Sequence, residues 1–268
     1  MFQTGRRQPK ICGGVALLLM FFHMNDDPTK KALVMSRRQA LLLLGITGAA
    51  VLAGRSNVYT ASDTSTAGKL PACILTPKQT EGPYFVDEQL KRSDIRVDPG
   101  DGSVKSGAPL TLALRVSSIN NAGCTPVPDA IMDIWHCDAA GAYSDVTDPG
   151  FRTVGKKFLR GYQVTDTNGT VRFTTIYPGW YRGRTVHIHF KVRAKARSGK
   201  TYELTSQLYF DDALTDRVHT QRVYGSKGQR TRNNQDGLFR NGGRQLMLSV
   251  AETRQGYAAT FDVGLQMV

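Results

Sequence analysis

From residue 70 onward the chain is written in short runs of alternating apolar and polar residues, each cut short by Gly, Pro, Asn or Asp. A period of two is the period of a strand, and nothing there sustains the 3.6-residue stripe of an amphipathic helix. Residues 109–119, 129–137, 186–194, 203–212, 244–252 and 257–265 alternate in this way. Residues 158–166 and 170–176 flank Asn168-Gly169 and read as a hairpin, while the Gly/Pro/Asn-rich stretch at 120–128 reads as a turn. About eight strands separated by turns, with no repeat and no long helix, predict an all-β fold, a β-sandwich of about eight strands with long loops. In a chain of 268 residues this leaves one domain and an N-terminal remainder.

That remainder reads as targeting. Residues 35–56 place Arg37-Arg38 before an apolar run and then small and polar residues. This is the layout of a secretory signal, and the paired arginines resemble a bacterial twin-arginine leader. The run is short for a membrane span, which needs roughly 20 residues. The expected organisation is an extension at 1–34 that precedes the true start at Met35, a leader at 35–56, a flexible Ser/Thr/Ala-rich linker at 57–70, and the sandwich domain at 71–268. The expected location is outside the cytoplasm, periplasmic or extracellular, with no membrane span once the leader is removed. In an oxidising compartment Cys73, Cys124 and Cys137 can form one intrachain disulfide. A straight strand between Cys124 and Cys137 would hold them too far apart, which favours a bond using Cys73. The net charge is +13. No basic helix, zinc-finger spacing or aromatic RNA-binding motif accompanies it. A basic surface around a site for an anionic small molecule is therefore preferred to nucleic acid.

The chemistry concentrates in "YPGWYRGRTVHIHF", residues 177–190. His187 and His189 sit two apart on a predicted strand and share a face. Imidazole is the commonest metal ligand, although a lone strand histidine is usually structural. Tyr181 follows a Pro-Gly turn and Tyr143 follows Gly141, both placed to project into a cleft; taken singly, each reads as an edge aromatic. Phenolate is a hard anionic donor suited to Fe(III). Two phenolates and two neutral imidazoles leave such an ion a formal charge of +1 and room for a bidentate dianion. His136 reads as a packed, hydrogen-bonded side chain, and Arg184 is either a surface ion-pair partner or a cation beside the ligand strand.

"TEGPYF" (80–85), "VPDAIMDIWHCDAAGAYSDV" (127–146), "LRGYQVTDTNGTVRFTTIYPGWY" (159–181) and "GRTVHIHF" (183–190) together resemble the intradiol ring-cleavage dioxygenases, the superfamily of protocatechuate and catechol dioxygenases. The resemblance covers about residues 72–268. It implies one non-haem Fe(III) per chain, held by Tyr143, Tyr181, His187 and His189. It also implies that Tyr181 is both ligand and base, that Arg184 stabilises charge on the substrate ring, and that Gln207 and Tyr84 bind substrate, Tyr84 at the pocket mouth. The implied reaction is cleavage of a catechol-type aromatic by O2 to a cis,cis-muconate-type dicarboxylate. Catechol-type members carry a helical dimerisation region before the core, where only a leader and linker stand here, and the Tyr181–His187 link is short beside that of protocatechuate enzymes. The pattern resembles a smaller, exported branch. It permits a homo-oligomer without naming one. Two other readings compete: a non-catalytic transthyretin-like binding module, and a cupin-like Fe(II) site that leaves both tyrosines unused.

Overall fold

Leu110, Leu112, Leu114 and Val116 occupy alternate positions of one strand, and none is more than 1% exposed. That strand, β1 (Pro109–Asn120), is the first of eleven. The others are β2 (Gly123–Pro126), β3 (Ile131–Trp135), β4 (Thr147–Asp148), β5 (Phe151–Arg152), β6 (Arg160–Val164), β7 (Thr170–Ile176), β8 (His187–Lys195), β9 (Thr201–Tyr209), β10 (Ser249–Thr253) and β11 (Gly256–Gln266). Two short helices, α1 (Asp212–Val218) and α2 (Gly237–Arg240), interrupt the pattern. The computed structural model describes residues 74–267 apart from 122, 226 and 227. The extension, leader, linker and Cys73 read from the sequence lie outside the described residues.

One sheet has five strands, with β1 between β11, which runs parallel to it, and β7 followed by β2 on its other edge; β10 extends β11. The second sheet has the order β6-β3-β8-β9, all antiparallel. Their facing side chains form a single cluster, with Leu112 and Phe173 from the first sheet and Ile134, Ile188 and Phe190 from the second. The expected all-β sandwich is therefore what forms. The ninth sandwich strand is β2, inside the stretch read as a turn, where it pairs with the end of β1. Among the described residues no helix is long and apolar enough to cross a membrane.

Residues 158–176 do not form the expected hairpin. The Asn168-Gly169 reversal is present, and Asp166 Oδ1 accepts from Asn168 N and Thr170 N at 2.9 and 2.8 Å. Its two arms then part, β6 to β3 and β7 to β1, in opposite sheets. An Asn-Gly turn specifies a reversal, but partners on either side decide whether the arms pair. Thr165 Oγ1 donates to Val127 O (2.7 Å) and accepts from Ala130 N (2.8 Å), which draws one arm to the turn before β3. On the other side, Val116 N donates to Gly169 O.

Cys124 is disulfide-bonded and Cys137 keeps its thiol; the expected bond using Cys73 involves a residue outside the described ones. The single straight strand imagined between Cys124 and Cys137 is instead two strands in different sheets.

Gly169 has φ +72°, and a Cβ on it would lie 2.3 Å from Val116 O. Gly169→Ala is expected to lower the unfolding free energy by at least about 1 kcal/mol, measured as a shift of the urea midpoint at unchanged m-value.

Candidate metal centre

Strand β8 turns Ile188, Phe190, Val192 and Ala194 into the sandwich core. The odd positions, His187, His189, Lys191 and Arg193, therefore face away from it. His187 and His189 are nonetheless only 3% and 1% exposed, because loops cover this outer face. Register builds the floor of the site. Arg160 of β6, Trp135 of β3, His189 of β8 and Gln207 of β9 stand opposite one another in a row, and Tyr209 stands opposite His187.

Two loops bring in the phenols. Tyr143 lies on the loop after β3, which Asp138 shapes by accepting from Ala140 N and Ala142 N at 2.9 and 3.0 Å. Tyr181 lies on the loop between β7 and β8. The loops meet backbone against backbone. A Cβ on Gly141 would sit 2.3 Å from Trp180 O, and one on Gly179 would sit 2.5 Å from Ala139 O. The glycines ahead of the two tyrosines, which read in sequence as turn residues, thus also let the tyrosine loops interlock.

Four donor atoms converge. His187 Nε2 is 3.0 Å from His189 Nε2, 3.3 Å from Tyr181 Oη and 3.4 Å from Tyr143 Oη. His187 Nδ1 donates to the Thr185 carbonyl at 2.6 Å, so its Nε2 carries a lone pair aimed into the cluster. Trp135 stacks on His189, with ring centroids 5.0 Å apart and planes 7° from parallel. Among the described residues no group of three or more His, Cys, Asp or Glu is placed to hold a metal ion. The donors that meet the histidine pair are the phenols of Tyr143 and Tyr181.

Burial governs the electrostatics. Burial, followed by the charge of Arg184, lowers the pKa of His187 to about 3, and burial and then His187 hold His189 well below its usual value. Burial and then the Tyr181 oxygen push the Tyr143 phenol well up. Burial raises Tyr181 to about 12, with Arg184 opposing. Two neutral imidazoles beside two phenols that resist ionising make an unfavourable buried set when nothing replaces the phenol protons. A trivalent cation would replace them, and donor atoms about 3 Å apart match the edges of a coordination shell with bonds near 2 Å. The residues fit Fe(III).

The remaining predicted residues surround this cluster. Arg184 donates from Nε to Asp236 Oδ2 at 2.9 Å and from Nη2 to Gln207 Oε1, so it forms a largely buried ion pair and not a surface one. Gln207 Nε2 donates to Thr80 O at 2.9 Å. Tyr84 stacks on Tyr143 at 4.5 Å, and its hydroxyl donates to Asp148 Oδ2 at 2.7 Å on the short β4–β5 hairpin. His136 is buried, with its ring nitrogens on Cys137 O and Thr175 Oγ1, outside the cluster. Reading the sequence missed Asp236, Trp135 and Arg160. The register of "DIWHC" against "VHIHF" could have flagged Trp135; Asp236, in a polar Gly-rich stretch, carries no local signal.

A family model described as "Dioxygenase" matches residues 80–222. The structure is similar to an intradiol ring-cleavage dioxygenase from Tetranychus urticae at 30% identity and TM-score 0.63, over 72% of this chain and 95% of that one. It is also similar to the dioxygenase domain of a carbohydrate-binding fusion protein from Streptomyces sp. SirexAA-E, at 31% identity and TM-score 0.54, over 73% and 100% of the two chains. Among curated sequences, the protocatechuate 3,4-dioxygenase beta chain of Burkholderia cepacia is 32% identical over 117 residues, 40% of this chain and 48% of that one. The chain spans half or less of the length of the curated relatives it matches.

The depressed histidines fix a pH dependence. Buried neutral in the fold, with His136 lowered to about 4 and His187 to about 3, they bind protons in the unfolded chain first. Folding stability of the metal-free protein is therefore full above about pH 6.5 and falls as pH drops towards about 3. Each histidine is expected to contribute a slope of up to ~1.4 kcal/mol per pH unit, His136 from about pH 6.5 down to about 4 and His187 down to about 3, read from urea midpoints at stepped pH.

Proposed function

Starting from a chain that belongs to the intradiol ring-cleavage dioxygenase family, we propose that it cleaves a catechol-type aromatic between its two hydroxyl-bearing carbons. Both atoms of O2 enter the product, a cis,cis-muconate-type dicarboxylate, so the overall reaction balances without an external reductant. The observation that carries this reading is the convergence of Tyr143, Tyr181, His187 and His189 on one buried point. Those four residues would hold one non-haem Fe(III). Bound there, the ion supplies a Lewis acid for the catechol oxygens and an acceptor for electron density from the ring.

The chain's own groups divide the remaining work. Tyr143 is fully buried and stacked under Tyr84, so it is the donor that stays in place. Tyr181 is half-buried, and off the metal its phenolate would be a strong base, because burial raises the pKa of the phenol to about 12. It is suited to accept a proton from a substrate hydroxyl and to leave the donor set as it does so. Burial works against the charge of Arg184, but Tyr181 and Asp236 outweigh it and raise its pKa. Arg184 is thus a fixed cation for negative charge developing on the ring. Gln207 Oε1 accepts from the guanidinium at Nη2, and Tyr84 packs edge-on against the Tyr181 ring. Export through a twin-arginine leader belongs to the same proposal, and the disulfide at Cys124 fits an oxidising compartment.

The test is direct. Protein reconstituted with ferric iron is expected to be burgundy, from phenolate-to-iron charge transfer, and to consume one O2 per catechol, hydroxyquinol or related ring cleaved. A colourless preparation that takes up no iron would sink the proposal. Tyr181→Phe is expected to shift or weaken the band and to lower kcat by about 100-fold or more. An unchanged spectrum would place the second phenol elsewhere.

A further inference from the structure

We propose that Asp236 is a positioning residue for this reaction, holding the Arg184 guanidinium at the site and, through Thr185, the imidazole of His187. The inference rests on the function proposed above and deepens it.

Asp236 is 1% exposed, and four N–H groups converge on its carboxylate. Oδ2 accepts from Arg184 Nε and from Thr185 N, each at 2.9 Å. Oδ1 accepts from Leu238 N at 2.8 Å and Phe239 N at 3.3 Å. Burial disfavours the charge, yet these donors, Thr185 N and Arg184 foremost, hold the carboxyl below its usual range. The guanidinium is pinned at both ends, by Asp236 at Nε and by Gln207 at Nη2. A planar fork held at two points keeps its orientation; held at one, it can swing to solvent. The second arm runs through Thr185. Its N–H is fixed by Asp236, its carbonyl receives the His187 Nδ1 proton at 2.6 Å, and its hydroxyl donates to Asn233 Oδ1 at 2.5 Å. A carboxylate 52 residues from Arg184 in sequence thus sets both the cation and the far side of one imidazole. It reaches no donor atom of the cluster itself, so its effect passes through Arg184 and Thr185.

Asp236→Asn tests this in the full-length, iron-loaded protein. An amide NH2 turned towards Arg184 Nε and Thr185 N breaks both arms, and one turned towards Leu238 N and Phe239 N breaks the cap of α2; in either orientation the carboxylate charge facing Arg184 is gone. The expected result is a fall in kcat of about 100-fold with KM for catechol changed by less than about threefold. Iron retention against a chelator is expected to weaken by about tenfold, as for other residues that orient a ligand. In an Arg184→Gln background the same substitution is expected to cost less than about threefold in kcat, because the Arg184 arm is gone, while the loss of iron retention through Thr185 and His187 persists. Asp236→Glu keeps the buried charge while moving the carboxylate, and its kcat and iron retention give the same test where Asp236→Asn does not fold. Wild-type kcat and iron retention in Asp236→Asn would overturn the proposal. So would an equal loss of kcat in both backgrounds, the mark of a purely structural role. A wild-type protein that binds iron but consumes no O2 with any catechol would overturn the functional reading instead, and the iron-retention comparison would still decide this one.

Discussion

His189 packs flat against Trp135 on one side and stands opposite Gln207 on the other, and this cross-strand row anchors everything else at the site. It exists because β8 is buried on both faces by different materials. Its even residues enter an apolar core shared by both sheets, and its odd residues lie under loops. Sliding β8 by one residue would put both imidazoles in the core and Ile188 under the loops. Core packing of Ile188, Phe190 and Val192 therefore fixes the orientation of the two histidines, although none of the three touches them for chemical reasons. The sandwich acts as a register gauge for the site.

The outer face is polar and buried at once, and such a surface holds together only when its groups are paired. Arg184 is matched by Asp236, Lys191 by Glu81, and Arg193 by Asp133. Arg160 donates to Ser144 and to the Tyr84 carbonyl, tying β6 to both the Tyr143 loop and the strap at 79–85. Gln79 fastens that strap again, donating to Leu238 O and Asn241 O while accepting from Tyr209. Trp135 Nε1 and Arg193 Nε are buried on this outer face without a hydrogen-bond partner among the described residues, and the two phenols and two imidazoles at the centre meet one another with no carboxylate among them.

Legibility in the sequence followed the range of the interaction. The strands of β1, β7, β8, β9 and β11 were readable because alternation is local and one face of each is apolar. The pairing of His187 with His189 needed only the strand period. The tyrosines were readable as loop residues after glycine, but their convergence was not, since it depends on Gly141 and Gly179 allowing two distant loops to touch. The hairpin reading at Asn168-Gly169 failed for the same reason. The turn is local, while the pull of Thr165 towards residues 127–130 is not. Asp236 was invisible because nothing within its own stretch marks it; its partners are Arg184 and Thr185, far back in the chain.

Taken alone, the sequence determined the all-β class and the face shared by the two histidines, and it offered two tyrosines as candidate donors beside them. Those properties follow from residue type and a period of two, which any stretch of strand carries with it. The tertiary structure decided which sheet bears the site, which face of that sheet is sealed by loops, and which carboxylate restrains Arg184. These depend on contacts between segments far apart in the chain, and their geometry is set only when the two sheets close on their common core.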